Sequence, residues 1–100
     1  MKYTDIEPKW ELIPEGMRDG VARYIVHGTR PGHFLSAVIC NDLTEAVNRA
    51  DMTNRKRIAD YVAFFYNYTP LGCWGSPEKF EAWVKHKGLE GSVLQSKTNA

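Results

Sequence analysis

One hundred residues with 13 Lys and Arg against 12 Asp and Glu, a net charge of +1 and 43% hydrophobic residues have the composition of one globular domain, not of a disordered or fibrous chain. The charge balance argues against broad neutralisation of phosphates, so nucleic acid is not the expected partner. No apolar run approaches the ~20 residues of a bilayer span, and the opening MKYTDIEPKW lacks the apolar core of an export signal, so no membrane partner and a cytoplasmic location are expected.

Residues 1–13 mix Tyr3, Ile6, Trp10 and Leu12 with charges and Pro8, a pattern that predicts an extended N-terminal arm anchored by Trp10. Pro14 suits a first helical position, and Met17, Val21, Tyr24 and Ile25 recur as one amphipathic stripe up to Gly28. Gly16 and Gly20 each weaken that helix by about 1 kcal/mol relative to Ala unless a neighbour packs closely on them. Gly28, Thr29, Arg30, Pro31 and Gly32 then predict a compact turn, with Gly28 as a left-handed cap.

From His33, the set Phe34, Leu35, Val38, Ile39, Leu43, Ala46, Val47 and Ala50 keeps helical spacing, predicting one long helix with a candidate break at Asn41. Asp51 or Thr53 caps a further helix that is expected to bury Ile58, Tyr61, Val62 and Phe65, with Phe64, Tyr66 and Tyr68 off the stripe. Pro70 and Gly72 end it. Ser76, Pro77 and Glu78 start a last helix that buries Phe80, Trp83 and Val84 and stops at Gly88. Residues 89–100 read as a flexible tail. The expected fold is therefore all-α, a compact bundle of four to five short helices over residues 14–88, in a single domain spanning 1–100.

Little in the pattern points to catalysis. His27, His33 and His86 do not have the spacing of a helical metal-ligand pair, and Cys40 and Cys73 show no short metal spacing. The cysteines are expected as free thiols, with Cys40 buried in its apolar run. There is no GxSxG elbow and no cysteine beside a paired histidine, and carboxylate pairs such as Asp42 with Glu45 fit capping better than acid catalysis. No enzyme activity, metal or cofactor is expected.

Binding is better supported. The turn HGTRPGH opens a helix with unpaired amides beside Arg30 and His33, the groups an anion needs. Asn41 and Asp42 interrupt an apolar stretch, where they either cap a break or reach a partner. Arg49, Arg55, Lys56 and Arg57 form a basic cluster, and Tyr66, Tyr68 and Trp74 surround the loop after the fourth helix. A DNA-binding helix-turn-helix is disfavoured, because residues 33–43 offer base edges only His33, Ser36, Asn41 and Asp42.

The runs IPEGM, YIVHGTRPGHFLSAVICNDLTEA and ADMTN, followed by YTP and WGS, resemble a family of short proteins encoded by phages and prophages. The resemblance spans residues 13–76. It implies a phage source and a small helical domain, and carries no catalytic residue over to this chain.

From the residues and the resemblance together, the expected function is a non-enzymatic phage accessory protein, for host takeover or anti-defence, that sequesters an anionic, nucleotide-like signal. The candidate ligand-binding residues are Tyr24, Arg30, His33, Asn41, Asp42, Arg55 and Trp74. The alternative is a protein-protein inhibitor of a host or defence enzyme, which would require an exposed patch in place of a pocket. Apolar and aromatic content also suits a homo-oligomer.

Overall fold

The computed structural model describes residues 9–70 and 72–91. They form an all-α globule of six helices: α1 (Arg18–His27), α2 (His33–Ile39), α3 (Leu43–Arg49), α4 (Met52–Lys56), α5 (Ile58–Tyr68) and α6 (Pro77–His86). Short 3-10 turns cover residues 9–12 and Glu15–Met17, one further helical turn occupies residues 88–91, and no strand occurs among the described residues.

Most boundaries follow from side chains that satisfy free backbone groups. Asp42, Asp51 and Ser76 accept hydrogen bonds from the amides of Glu45, Asn54 and Lys79, each three residues into the following helix, as an N-cap does. Pro77 occupies the first turn of α6, where a missing N–H costs nothing. Pro14 sits one position outside the 3-10 turn that precedes α1, as its N-cap.

The helix expected from residue 33 is two helices, divided at its candidate break, Asn41. The chain reverses at Cys40, Asn41 and Asp42, where Asn41 takes a positive φ of 63°, a conformation that asparagine tolerates better than most residues. The apolar periodicity runs through the break because both helices bury residues in one core, so periodicity alone did not locate it.

That core comprises Trp10, Ile13, Val21, Tyr24, Ile25, Phe34, Leu35, Val38, Ile39, Tyr61, Phe64, Phe65, Cys73 and Phe80, with Ala37 and Ala46. Two expectations for α5 are corrected here. Phe64 is fully buried, while Val62 is 41% exposed. The helix is apolar on nearly every side, so two faces satisfied the same spacing, and Trp10 selects between them by packing on Phe64, the rings tilted with centroids 4.9 Å apart.

Arginines hold the N-terminal segment against the bundle. Arg18 Nε donates to the carbonyls of Trp10 and Ile13 at 3.0 and 2.9 Å, and Arg57 Nη2 donates to the Glu11 carbonyl at 2.6 Å. Residues 1–8 and 92–100, which include most of the expected arm and tail, lie outside the described residues.

No helix among the described residues is long and apolar enough to cross a membrane. Both cysteines are free thiols, Cys73 buried and Cys40 half-buried at the end of α2. Cys40 is thus less enclosed than its apolar neighbours suggested, because the break after α2 opens its side to solvent.

Candidate functional site

A surface groove lies where the sequence placed its candidate turn. It has a volume of about 520 Å³ and runs between one face of the α1 region, from Gly16 through Gly20 to Arg23, and the segment from Thr29 to Leu35. Gly28, with φ 69°, ends α1 in the left-handed conformation and turns the chain so that Arg30, Gly32 and His33 come back alongside Gly20 and Arg23.

Three glycines strip side chains from this groove. A Cβ built on Gly16, Gly20 or Gly32 would meet nothing within 4 Å. Close packing therefore does not account for Gly16, in the 3-10 turn, or for Gly20, in α1, and both leave backbone open to whatever enters. Gly32 precedes α2 without a side-chain cap, and Ser36 Oγ donates back to the Pro31 carbonyl at 3.2 Å, fixing the turn.

The cationic groups of the groove are held in place. Arg30 Nη1 and Nη2 donate to the two carboxylate oxygens of Glu81 at 2.8 and 2.7 Å, and its guanidinium lies 5.3 Å from the centre of the Phe80 ring. The hydrogen bonds to Glu81 raise the Arg30 pKa further above its already high value, and the same contact holds the Glu81 carboxyl below its ordinary range. Two of the five guanidinium N–H donors are used in this pair, which leaves three for another acceptor. Arg23 Nε sits 3.4 Å from Asp19, another residue of the groove wall, with both side chains mostly exposed.

The seven candidate residues divide among several places. Arg30 and His33 share the groove. His33 also lines a neighbouring depression of about 230 Å³ with Cys40, Asp42, Glu45 and Arg49, and Asn41 and Asp42 edge a third, far smaller one. None of these three concavities is lined by Tyr24, Arg55 or Trp74.

Tyr24 is fully buried and its hydroxyl donates to the Cys73 carbonyl at 2.6 Å, so it is a core residue with its polar atom already satisfied. Burial raises its pKa far above the usual tyrosine value and pushes the Cys73 thiol up to about 11. Trp74 is half-buried against Phe65 at 6.0 Å between ring centroids. Arg55 is exposed and donates to the Val47 carbonyl.

The basic cluster likewise separates on folding. Arg49 pairs with Glu45 at 2.9 Å, and Arg57 is committed to Asp60 and to the N-terminal segment. No group of three or more His, Cys, Asp or Glu side chains able to hold a metal ion occurs among the described residues.

No protein-family model matches the chain, and no match is found among curated proteins or solved structures.

The groove also contains residues that sequence reasoning passed over. Arg23 reads in sequence as an ordinary exposed member of a helix, and nothing local links it to Arg30. One signal was available: Gly16 and Gly20 lie four residues apart, so two costly residues fall on one side of the α1 region.

Proposed function

We propose that this is a non-enzymatic binding protein that captures an anionic, nucleotide-like small molecule in the groove between α1 and the Thr29–His33 turn, as an accessory protein of a phage would to withdraw a signal. The observation that carries the reading is the placement of Arg23, Arg30 and His33 on the walls of a groove opened by Gly16, Gly20 and Gly32. Its volume of about 520 Å³ falls in the range of sites for small molecules and cofactors.

The chemistry of the groove suits capture. Bare backbone lets a ligand approach the main chain closely, as at phosphate sites generally. Guanidinium groups supply paired donors in a geometry that matches phosphate oxygens, and Arg30 is held over the Phe80 ring, which reduces the ordering cost of binding. Met17 and Phe34 add apolar surface for the rest of the ligand.

Calorimetric titration with cyclic dinucleotides, cyclic trinucleotides and ADP-ribose tests the proposal, with the corresponding nucleosides as phosphate-free controls. At least one phosphorylated ligand is expected to bind, its nucleoside to fail, and Arg23→Ala and Arg30→Ala to weaken binding by about tenfold or more each. Absence of heat and of thermal stabilisation across the whole panel would overturn it.

A further inference from the structure

A second surface carries four of the five large apolar side chains exposed among the described residues, the fifth being Met52 on α4. Leu43 (66% exposed) and Val47 (36%) stand one turn apart on α3, while Val62 (41%) and Tyr66 (75%) stand one turn apart on α5. Leu43 and Val62 line one shallow depression together with Ala46 and Ile58, which joins the two columns into a single face. Isolated apolar side chains at a surface need no explanation, whereas a contiguous set marks an interaction site.

The ends of α3 say what fits this face. At its start, Asp42 accepts the Glu45 amide at 3.2 Å and has no cationic partner among the described residues. Near its end, Arg55 Nη2 lies 3.4 Å from the Val47 carbonyl and has no carboxylate partner among them. Arg49 is already tied to Glu45, which leaves Arg55 available there. From residue 42 to residue 47 the helix rises about 7.5 Å.

These ends are complementary to each other once the helix is reversed. A twofold axis across the middle of α3 brings Asp42 of one copy beside Arg55 of a second and sets Leu43 against Val47, in both directions at once, as a self-complementary interface requires. We infer that the protein associates with a second copy of itself through antiparallel α3 helices, flanked by Val62 and Tyr66 of α5.

A standard stable interface takes about 800 Å² from each partner. Four apolar side chains on two short helices supply the centre of such a patch and leave its rim polar. The association is therefore reversible and dependent on concentration, and it weakens as salt screens the paired charges.

Sedimentation velocity over the micromolar to millimolar range tests this. The wild type is expected to pass from the monomer mass to twice that mass. Asp42→Lys and Arg55→Glu are each expected to stay monomeric, since like charges then face each other. Mixed in equal amounts they are expected to recover the dimer, because every position 42 again meets an opposite charge at position 55. Val62→Glu is expected to be monomeric with an unchanged helical circular dichroism spectrum.

Asp42 is also a helix cap, so Asp42→Asn, which keeps a capping oxygen, replaces the lysine variant if that one does not fold. It is expected to weaken association several-fold. A wild type that is monomeric at every concentration overturns the inference, as does a dimer that these substitutions leave unchanged or a mixture no more associated than its components. Asp42, Leu43, Val47, Arg55, Val62 and Tyr66 do not line the groove of Arg23 and Arg30, so this outcome and the ligand titration are read independently.

Discussion

Gly28 and Gly88 meet backbone to backbone where the ends of α1 and α6 converge. A Cβ on Gly28 would stand 2.9 Å from the Gly88 nitrogen, and one on Gly88 would stand 2.6 Å from the Ile25 carbonyl oxygen. Trp83 of α6 reaches across the same junction, its indole N–H lying 3.1 and 3.2 Å from the carbonyl oxygens of Tyr24 and Ile25, near the end of α1 where helical carbonyls lose their partners. His27 and Glu90 close its outer edge at 2.9 Å. The junction sets the exit direction of the chain from α1, and so places Arg30 and His33 on the groove wall.

Gly28→Ala and Gly88→Ala are accordingly expected to destabilise the fold by about 2–4 kcal/mol each. A left-handed conformation costs a residue with a Cβ about 1–2 kcal/mol, and overlap with backbone that cannot swing away adds a cost of similar size. Gly32→Ala is the control, with φ −69° and open space around it, and should stay within about 0.5 kcal/mol of the wild type. Urea unfolding monitored by circular dichroism reads all three. Equal stability of the Gly28 and Gly32 variants would mean that the glycine contact does not form.

Gly20→Ala should act in the opposite direction on stability and against the proposed function. Gly20 lies inside α1 with nothing near its Cβ position, so alanine removes unfolded-state freedom and is expected to stabilise the protein by about 0.4–1 kcal/mol. The new methyl group projects into the groove, and affinity for the anionic ligand should fall. A rise in melting temperature together with weaker binding separates the role of the groove from any effect on folding.

Features encoded within a few residues were legible in the sequence. The Ser76, Pro77 and Glu78 start of α6 and the left-handed Gly28 were foreseen, because each is a local solution to an unpaired backbone group. Asp51 was one of two candidate caps, and the helix it starts ends at Lys56, with Ile58–Tyr68 forming a separate helix. Features decided by partners far along the chain were not. Whether α5 buries Val62 or Phe64 depends on Trp10, 54 residues before Phe64. Tyr24 looked available to a ligand because nothing local shows that Cys73, 49 residues later, takes its hydroxyl. Arg30 showed its charge but not Glu81, which lies 51 residues on and orients it. Of the candidate residues, the sequence thus placed the turn and the chemistry of Arg30 and His33, while Arg23, joined to them only by the fold, went unseen.

Tyr24→Phe tests the assignment of Tyr24 to the core. Its hydroxyl is buried and donates to the Cys73 carbonyl, so removal leaves a buried acceptor without a partner and should cost about 1–3 kcal/mol of stability. Ligand affinity measured well below the melting temperature should not change. A loss of affinity without a loss of stability would return Tyr24 to the binding site.

Glu81 competes with an anionic ligand for Arg30, and the competition has a pH signature. Because Arg30 depresses the Glu81 carboxyl in the folded state, the pair contributes stability above the ordinary carboxylate range, and that contribution is lost as pH falls through the lowered value. Both side chains are more than half exposed, so the effect on folding is small, and ligand affinity is the more sensitive readout. Glu81→Gln keeps an amide oxygen for one hydrogen bond but removes the competing charge, and should strengthen anion binding by about two- to fivefold at neutral pH. In the wild type, acidification through the carboxylate range should produce a comparable gain on top of any change due to other groups, and in Glu81→Gln that increment should be missing. Titrations of the two proteins against the same phosphorylated ligand at neutral and acidic pH provide the comparison. Parallel profiles would show that Arg30 holds Glu81 without ever releasing it to a guest.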